Sequence, residues 1–583
     1  MKTRSFHGSI AMFSLAALAA CTPAVVGTSA AIPHLRKQGT ATQLIVDGKR
    51  FLALAGELGN NTATSLEYMK LVWPRLVESR LNSVLAGVSW AQVEPQEGKF
   101  DFSVLDGVIQ GARSHRLRLV LLWFASWKNG MSGYPPDWVK KDFDRFPRAQ
   151  MVGGTLPVMG EAPRTDFPGN MTLELLSPLS DANRDADARA FAALMRHVKE
   201  VDGREHTVIM IQVENEVGMQ GDTRDRSPLA NQAFEGPVPK ELMNYLQQHK
   251  DTLIPELRQV WQAAGFKTTG TWEEVFGKGR PADEIFMAWH FARYINRVVE
   301  AGKAEYPIPM YVNCPQEGFG QRPKGGQSGG PMPDAMDVWR AGAPRIDLFG
   351  TDIYDPDFVT MCARYTQSGN PLFIAETRGL PPNGLEARVL YAFGRHDAIG
   401  FSPMGIERPT VPDIELTSAY DVIAQLAPLI VEHQGNGTMS AVVVGSKDPP
   451  HKIQVGNYTL TVAFRKPPRL PAGPEPQEPF PNSAAIFIAT GPDEFYAAGN
   501  GVSVTFSPNT PGPPLAGLAT VEEGTFVDGR WVPGRRLSGD DDGQGENLVL
   551  PRLHVTPSPL GWTGNLGGPS TKGIQRVTLY RYR

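Results

Sequence analysis

A chain of 583 residues is too long for one hydrophobic core and calls for two or three domains. Its formal net charge of −4 offers no basic face for nucleic acid. Its 3 cysteines lie too far apart for a cysteine-based zinc site.

Residues 1–20 read as an export signal. Lys2 and Arg4 form a basic start, and Ile10 to Ala20 is apolar but too short to span a bilayer. The stretch Leu18-Ala19-Ala20-Cys21 resembles a bacterial lipobox. That resemblance implies a lipidated Cys21 at the mature N-terminus, residues 21–40 as a tether, and a periplasmic or outer-membrane lipoprotein. Thr22 after the cysteine suits outer-membrane sorting. Cleavage near Thr28-Ser29-Ala30-Ala31 would discard Cys21, and either route exports the chain.

From residue 41 to 435, short apolar runs alternate with helical patterns. The predicted strands are 51–58, 81–89, 117–125, 207–214, 309–313, 347–354, 371–376 and 398–404. Between them, Leu66-Met69-Leu71-Val72-Leu76 and Ala288-Phe291-Ala292-Ile295-Val298-Val299 have helical spacing. Eight such repeats predict a (β/α)8 TIM barrel, closed by a helix through Val422, Leu426, Leu429 and Ile430. The insertions at 130–185 and 219–280 follow strands and should shape the cleft on the catalytic face.

Beyond Gly435-Asn436-Gly437 the pattern changes to period two, as in 456–464, 486–488 and 577–582. Residues 436–583 are therefore read as a C-terminal β-sandwich-like domain with one buried face per strand. Its visible tryptophans are Trp531 and Trp562, too few for a long stacking platform, so structural support is the favoured role. The run 539–546 is acidic but lacks EF-hand spacing and reads as a solvated loop. Cys314 and Cys362 form either a disulfide or two buried thiols.

Two of the apolar runs end in glutamates. Val208 to Val213 leads into Glu214-Asn215-Glu216-Val217-Gly218, and Pro371 to Ala375 leads into Glu376-Thr377-Arg378-Gly379. Strand ends carry the chemistry of a TIM barrel, and two carboxylates are what glycoside hydrolysis needs. The reading of these residues alone leaves open capping carboxylates, and it leaves open which of Glu214 and Glu216 acts, since residues two apart on a strand face one side.

The string 212–218 resembles the acid/base signature of the family 35 β-galactosidases, and Phe373-Ile374-Ala375-Glu376 resembles their nucleophile strand. Trp90-Ala91-Gln92-Val93-Glu94-Pro95 and Gly98-Lys99-Phe100-Asp101-Phe102 resemble the segment after their second strand. The likeness spans about residues 45 to 410. Two segments depart from the animal and plant enzymes, 56–61 and 125–130, and suggest a bacterial branch. The resemblance implies Glu216 as acid/base, Glu376 as nucleophile and Asn215 as the contact to the sugar 2-hydroxyl.

Tyr354 ends the sixth strand and can donate to the nucleophile, with Asp352 a neighbouring alternative and a rim tyrosine the bland reading. Trp127, Trp123 and Trp90 are sugar platforms or core, with Trp127 favoured as a platform and Asn129 beside it as a polar contact. Glu57, Asn60, Asn61 and Asn313 are candidates for hydroxyl contacts. Arg378 is a structural ion-pair candidate. No cofactor is implied, because two carboxylates suffice. The expected protein is an exported, retaining exo-β-galactosidase acting on terminal β-galactosyl residues of plant-type oligosaccharides. The rivals are a β-glycosidase for glucose or arabinose, and a non-catalytic sugar-binding lipoprotein.

Overall fold

A computed structural model describes Met1 and residues 31–152, 174–314, 327–377, 384–408, 413–465, 483–539, 544–550 and 573–583. Cys21, Arg378 and Trp562 lie outside these residues, as do the export signal and most of the tether.

The chain first forms an antiparallel meander, β1 (His34–Gln38), β2 (Ala41–Val46) and β3 (Lys49–Phe51). Sequence reading placed β1 in the tether. Its polar side chains hide the strand pattern, yet its backbone pairs with β2 in register from His34↔Ile45 to Gln38↔Ala41. The Gln38 amide also donates to the carbonyls of Val431 and Gln434. From β2, Leu44 and Val46 join the core inside the barrel and close its N-terminal end.

Among the described residues the barrel is closed by eight parallel strands: β4 (Ala53–Glu57), β5 (Ser83–Ser89), β6 (Arg118–Lys128), β7 (Val208–Asn215), β8 (Met310–Cys314), β9 (Leu348–Ile353), β10 (Phe373–Thr377) and β11 (Gly400–Phe401). Every predicted strand is present, β11 as two residues only. Closure runs through Gly400, paired with Ala53. A Cβ at Gly400 would stand 2.6 Å from the Phe373 ring and 2.8 Å from the Ala53 methyl, so only glycine lets these strands meet. Inside, Ala53, Leu85, Val120, Leu122, Met210, Tyr311, Leu348 and Phe373 form one packed cluster. The barrel is therefore a filled core, and chemistry is left to the strand ends.

Both helical patterns form helices, though Leu66 and Leu71 of the first are exposed and lie off its buried face. Helix Leu66–Glu78 is capped by the Ser65 side chain and buries Met69, Val72, Trp73 and Leu76. Helix Arg280–Glu305 buries the predicted apolar face. Helix Ile414–His433 sends the Tyr420 hydroxyl to the carbonyls of Ala55 and Phe401, 2.7 Å each, across the β4–β11 seam.

The last part of the chain is a sandwich. One sheet orders β12 (Met439–Val444), β15 (Ser483–Gly491), β16 (Glu494–Asn500), β21 (Ile574–Tyr582), β18 (Leu515–Val527) and β19 (Arg530–Leu537). The other orders β13 (His451–Val455), β14 (Tyr458–Phe464), β17 (Val502–Pro508) and β20 (Leu548–Leu550). The expectation of one buried face per strand fails for β15. Ala485 and Phe487 enter the sandwich core, while Ala484, Ile486 and Ile488 join the core shared with the barrel helices. A Cβ at Gly394, on helix Leu385–His396, would meet Ile486 and Ala441 at 2.7 Å, which measures how closely helix and sheet approach. Trp531 is half-buried and packs edge-on against Tyr496 and Phe526.

Truncation near residue 435 should therefore uncover Ile486's partners on helix Leu385–His396. Burial of each such isoleucine is worth roughly 1.5–3 kcal/mol. The truncated barrel is expected to aggregate, read by light scattering during refolding; a soluble barrel with full activity on small substrates but weakened affinity for polymeric glycan would instead make the sandwich a binding module.

Candidate active site

Six carboxyl or amide side chains converge at the C-terminal ends of five barrel strands and the segment after β7. Glu57 ends β4, Asn215 ends β7, Asn313 lies on β8, Asp352 on β9, Glu376 on β10, and Glu216 follows Asn215. All six are at most 7% exposed. Asp352 pairs with Glu376 in register, next to a bulge between Ile374 and Glu376.

The two oxygens of Glu376 each receive a donor. Tyr354 Oη donates to Oε2 at 3.0 Å, and Asn215 Nδ2 donates to Oε1 at 3.2 Å. Burial, followed by the adjacent Glu376, holds the Tyr354 phenol far above its ordinary value, so it stays a donor. Asn313 fixes the backbone here: its Oδ1 accepts from the Glu216 amide at 2.9 Å, and its Nδ2 donates to Asp352 at 2.7 Å. It is a brace, not an obvious sugar contact.

Glu214 and Glu216 do not share a side. Glu214 has φ 61° and Glu216 φ 43°, both in the left-handed region, so the strand alternation ends at Glu214. Such conformations cost on the order of 1–3 kcal/mol each and gather at functional sites. The Glu214 carboxylate turns away and accepts from the amides of Ser126 and Trp127, at 3.1 and 2.7 Å. It is fully buried, and burial followed by Asp187 pushes its pKa well above the usual carboxylate range. Asp187 in turn takes the Ser126 hydroxyl at 2.7 Å and the Trp123 indole at 2.9 Å.

Two expectations about aromatics are corrected. Trp127 is fully enclosed, donates to the Leu176 carbonyl at 3.1 Å, and meets Phe291 and Tyr294 edge-on. Trp123 is equally enclosed by Phe191 and Asp187, and Trp90 donates to Glu94 at 2.7 Å. A platform needs an open face, and these rings have none. Asn61 is exposed and accepts from Tyr134 at 3.3 Å, at the rim. The Oδ1 atoms of Asn60 and Asn129 are buried without a hydrogen-bond partner among the described residues, as are both oxygens of Glu57 and Oδ1 of Asp352. This collection of unpartnered buried polar atoms suits a hydroxyl-rich ligand. Cys314 and Cys362 are buried free thiols.

Sequence reading missed Lys128 and Glu407. Lys128 ends β6, is 7% exposed, and donates to Asn215 Oδ1 at 2.8 Å. Burial alone would lower its pKa, but Glu376, Glu57, Glu216 and Asp352 outweigh burial and raise it. Glu407 braces the loop after β4 through the Gly59 amide and Thr62 hydroxyl, at 2.9 and 2.8 Å. Among the described residues no cluster of His, Cys, Asp or Glu could hold a metal ion.

Burial, then Glu376, push Glu57 well above the usual glutamate range; Asp352 is raised for the same two reasons. The folded state thus keeps the Glu57 proton to higher pH than the unfolded chain. Its contribution to stability is complete below the ordinary glutamate pKa and is lost as pH rises through the folded value. Glu57→Gln should therefore melt with a flatter pH dependence than the parent from about pH 5 upward; parallel melting curves across that range would contradict the protonated state of Glu57.

Fold and site define a TIM-barrel chain with a buried group of carboxyl and amide side chains at its C-terminal strand ends. Residues 69–280 match the family model described as "Beta-galactosidase", of the family 42 type, and residues 416–549 match "Domain of unknown function (DUF5597)". The chain is 31% identical over 217 residues to a β-galactosidase of Xanthomonas manihotis, a match covering 35% of this chain and 30% of that protein. The chain therefore spans under a third of that relative's length. Solved structures that the chain matches include the β-galactosidases of Bacillus circulans sp. alkalophilus (15% identity, TM-score 0.42, covering 65% of this chain and 57% of that one) and Marinomonas ef1 (14%, 0.41, 65% and 60%). The matched model is of the family 42 type and gives no support to family 35 specifically; the coarser likeness to β-galactosidases is common to both. The second match starts inside helix Ile414–His433, in keeping with the contact of that helix with the six-stranded sheet.

Proposed function

We propose that this protein is a retaining exo-β-galactosidase with Glu376 as nucleophile and Glu216 as acid/base. The observation that carries the reading is the pair of donors on Glu376, from Tyr354 and Asn215, within a buried set of strand-end carboxyls. The two donors hold both oxygens of this carboxyl in a fixed orientation, which an in-line nucleophile needs. Glu216 is the partner because Glu214 is bound to Ser126 and Trp127 on the other side of the strand end.

In the first step, Glu376 attacks the anomeric carbon while the Glu216 proton passes to the glycosidic oxygen, which leaves as an alcohol. In the second, Glu216 takes a proton from water, the hydroxyl attacks the same carbon, and Glu376 leaves. Asn215 lies beside Glu376, where it can hold the sugar 2-hydroxyl as charge develops. The motif 212–218 favours family 35 and the matched model favours family 42; these roles hold in either case. The favoured substrate is a terminal β-galactosyl residue of a plant-type oligosaccharide.

A panel of nitrophenyl glycosides tests this. β-Galactoside should be cleaved fastest. Faster cleavage of a glucoside or arabinoside would replace the sugar but keep the roles, and binding without hydrolysis would make the protein a sugar-binding lipoprotein. The basic start and the string Leu18-Ala19-Ala20-Cys21 support export and a lipid anchor at Cys21. Cys21→Ser should release the enzyme from the membrane fraction; a wild-type protein already soluble, with its N-terminus near Ala31, would end that reading.

A further inference from the structure

We propose that Lys128 is a positioning residue for the nucleophile, fixing which end of the Asn215 amide faces Glu376. This rests on the reading of Glu376 as nucleophile. An ammonium has donors only, so it accepts nothing from the amide NH2 and binds only its oxygen. With Asn215 Oδ1 held by Lys128 at 2.8 Å, the NH2 end is the one presented to Glu376 Oε1, at 3.2 Å. An amide released from Lys128 can turn its oxygen toward the carboxylate, lone pair against lone pair.

The backbone explains why a lysine reaches this point. β6 runs for 11 residues, with a register shift between Trp123 and Lys128 that sets Lys128 opposite Asn215. Lysine is almost never buried unless paired. The groups facing it are Glu57 from β4, Glu216 after β7, Asp352 from β9 and Glu376 from β10, with Tyr134 also in its field and the Phe124 ring 4.9 Å away. Its charge is shared among these carboxyls. Its directional bond among the described residues goes to Asn215 alone. Lys128 is thus the cation that balances the cluster and the clamp that orients one member of it.

The test uses Lys128→Met, Lys128→Gln, Asn215→Ala and Lys128→Met/Asn215→Ala in the full chain, each checked for parental melting. Lys128→Met and Asn215→Ala should each lower kcat about 10²-fold on a nitrophenyl β-galactoside with little change in KM, the scale of a misplaced reacting group. The double variant should be no slower than Lys128→Met, because both changes break one relay. Lys128→Gln keeps a donor without the charge and should recover at least about tenfold over Lys128→Met. Multiplicative losses, a KM effect alone, or no recovery by glutamine would overturn the proposal. A second readout needs no turnover: the Asn215 side-chain amide, followed by nitrogen-15 NMR and assigned by its absence in Asn215→Ala, should shift in Lys128→Met and return toward its parental position in Lys128→Gln. An amide signal unmoved in Lys128→Met would overturn the link between Lys128 and Asn215, whether or not the protein proves to be a glycosidase. A parental protein that cleaves no glycoside, with the amide signal moved, would remove the proposed activity and leave the relay standing.

Discussion

Glu376→Ala or Glu376→Gly is expected to abolish turnover, by roughly 10⁴-fold or more, the scale on which losing a covalent nucleophile acts. The fold should survive. Glu376 is a leading cause of the raised pKa values of Glu57 and Asp352, so its removal takes a negative charge out of a crowded, buried group. The melting temperature is therefore predicted to match or exceed that of the parent. An inactive variant that is also destabilised would leave the loss of turnover open to a structural cause and would contradict this picture of the cluster. A variant with substantial turnover would remove Glu376 from the mechanism.

Glu216→Ala is expected to separate substrates by leaving group. A general acid contributes about 10²–10⁴-fold, and chiefly where the departing oxygen needs a proton. Dinitrophenyl galactoside should still form the glycosyl-enzyme quickly, because its phenolate leaves unaided. Alkyl galactosides should fail. Release of the intermediate then lacks its base, so azide should restore turnover by direct attack, with galactosyl azide as product. Equal losses on all substrates without azide rescue would transfer attention to Glu214. The geometry weighs against that residue, since its carboxylate is taken by the Ser126 and Trp127 amides and by Asp187.

The barrel was legible in the sequence because parallel strands buried on both faces read as unbroken apolar runs. The strand-end glutamates were legible for the same reason: a charged residue closing such a run stands out. β1 was not, since His34-Leu35-Arg36-Lys37-Gln38 has a single apolar residue, Leu35, and is otherwise held by backbone pairing and by Gln38. Trp127 and Trp123 were misread because enclosure depends on residues far away in sequence, Phe291, Tyr294 and Asp187. Glu214 was placed on the wrong side because a left-handed backbone at a non-glycine residue leaves no mark in composition. Lys128 was passed over for a related reason. Lysine reads as a surface residue, and only the fold reveals the carboxyls gathered around it.

The stereochemistry of hydrolysis tests the central claim most directly. A retaining pair requires carboxyls about 5–5.5 Å apart and two displacements at one carbon. Proton NMR of the first-formed sugar from a nitrophenyl β-galactoside should show the β-anomer, with the α-anomer growing only at the rate of mutarotation. The α-anomer as the first product would mean a single displacement by water, and Glu376 would be a base and not a nucleophile.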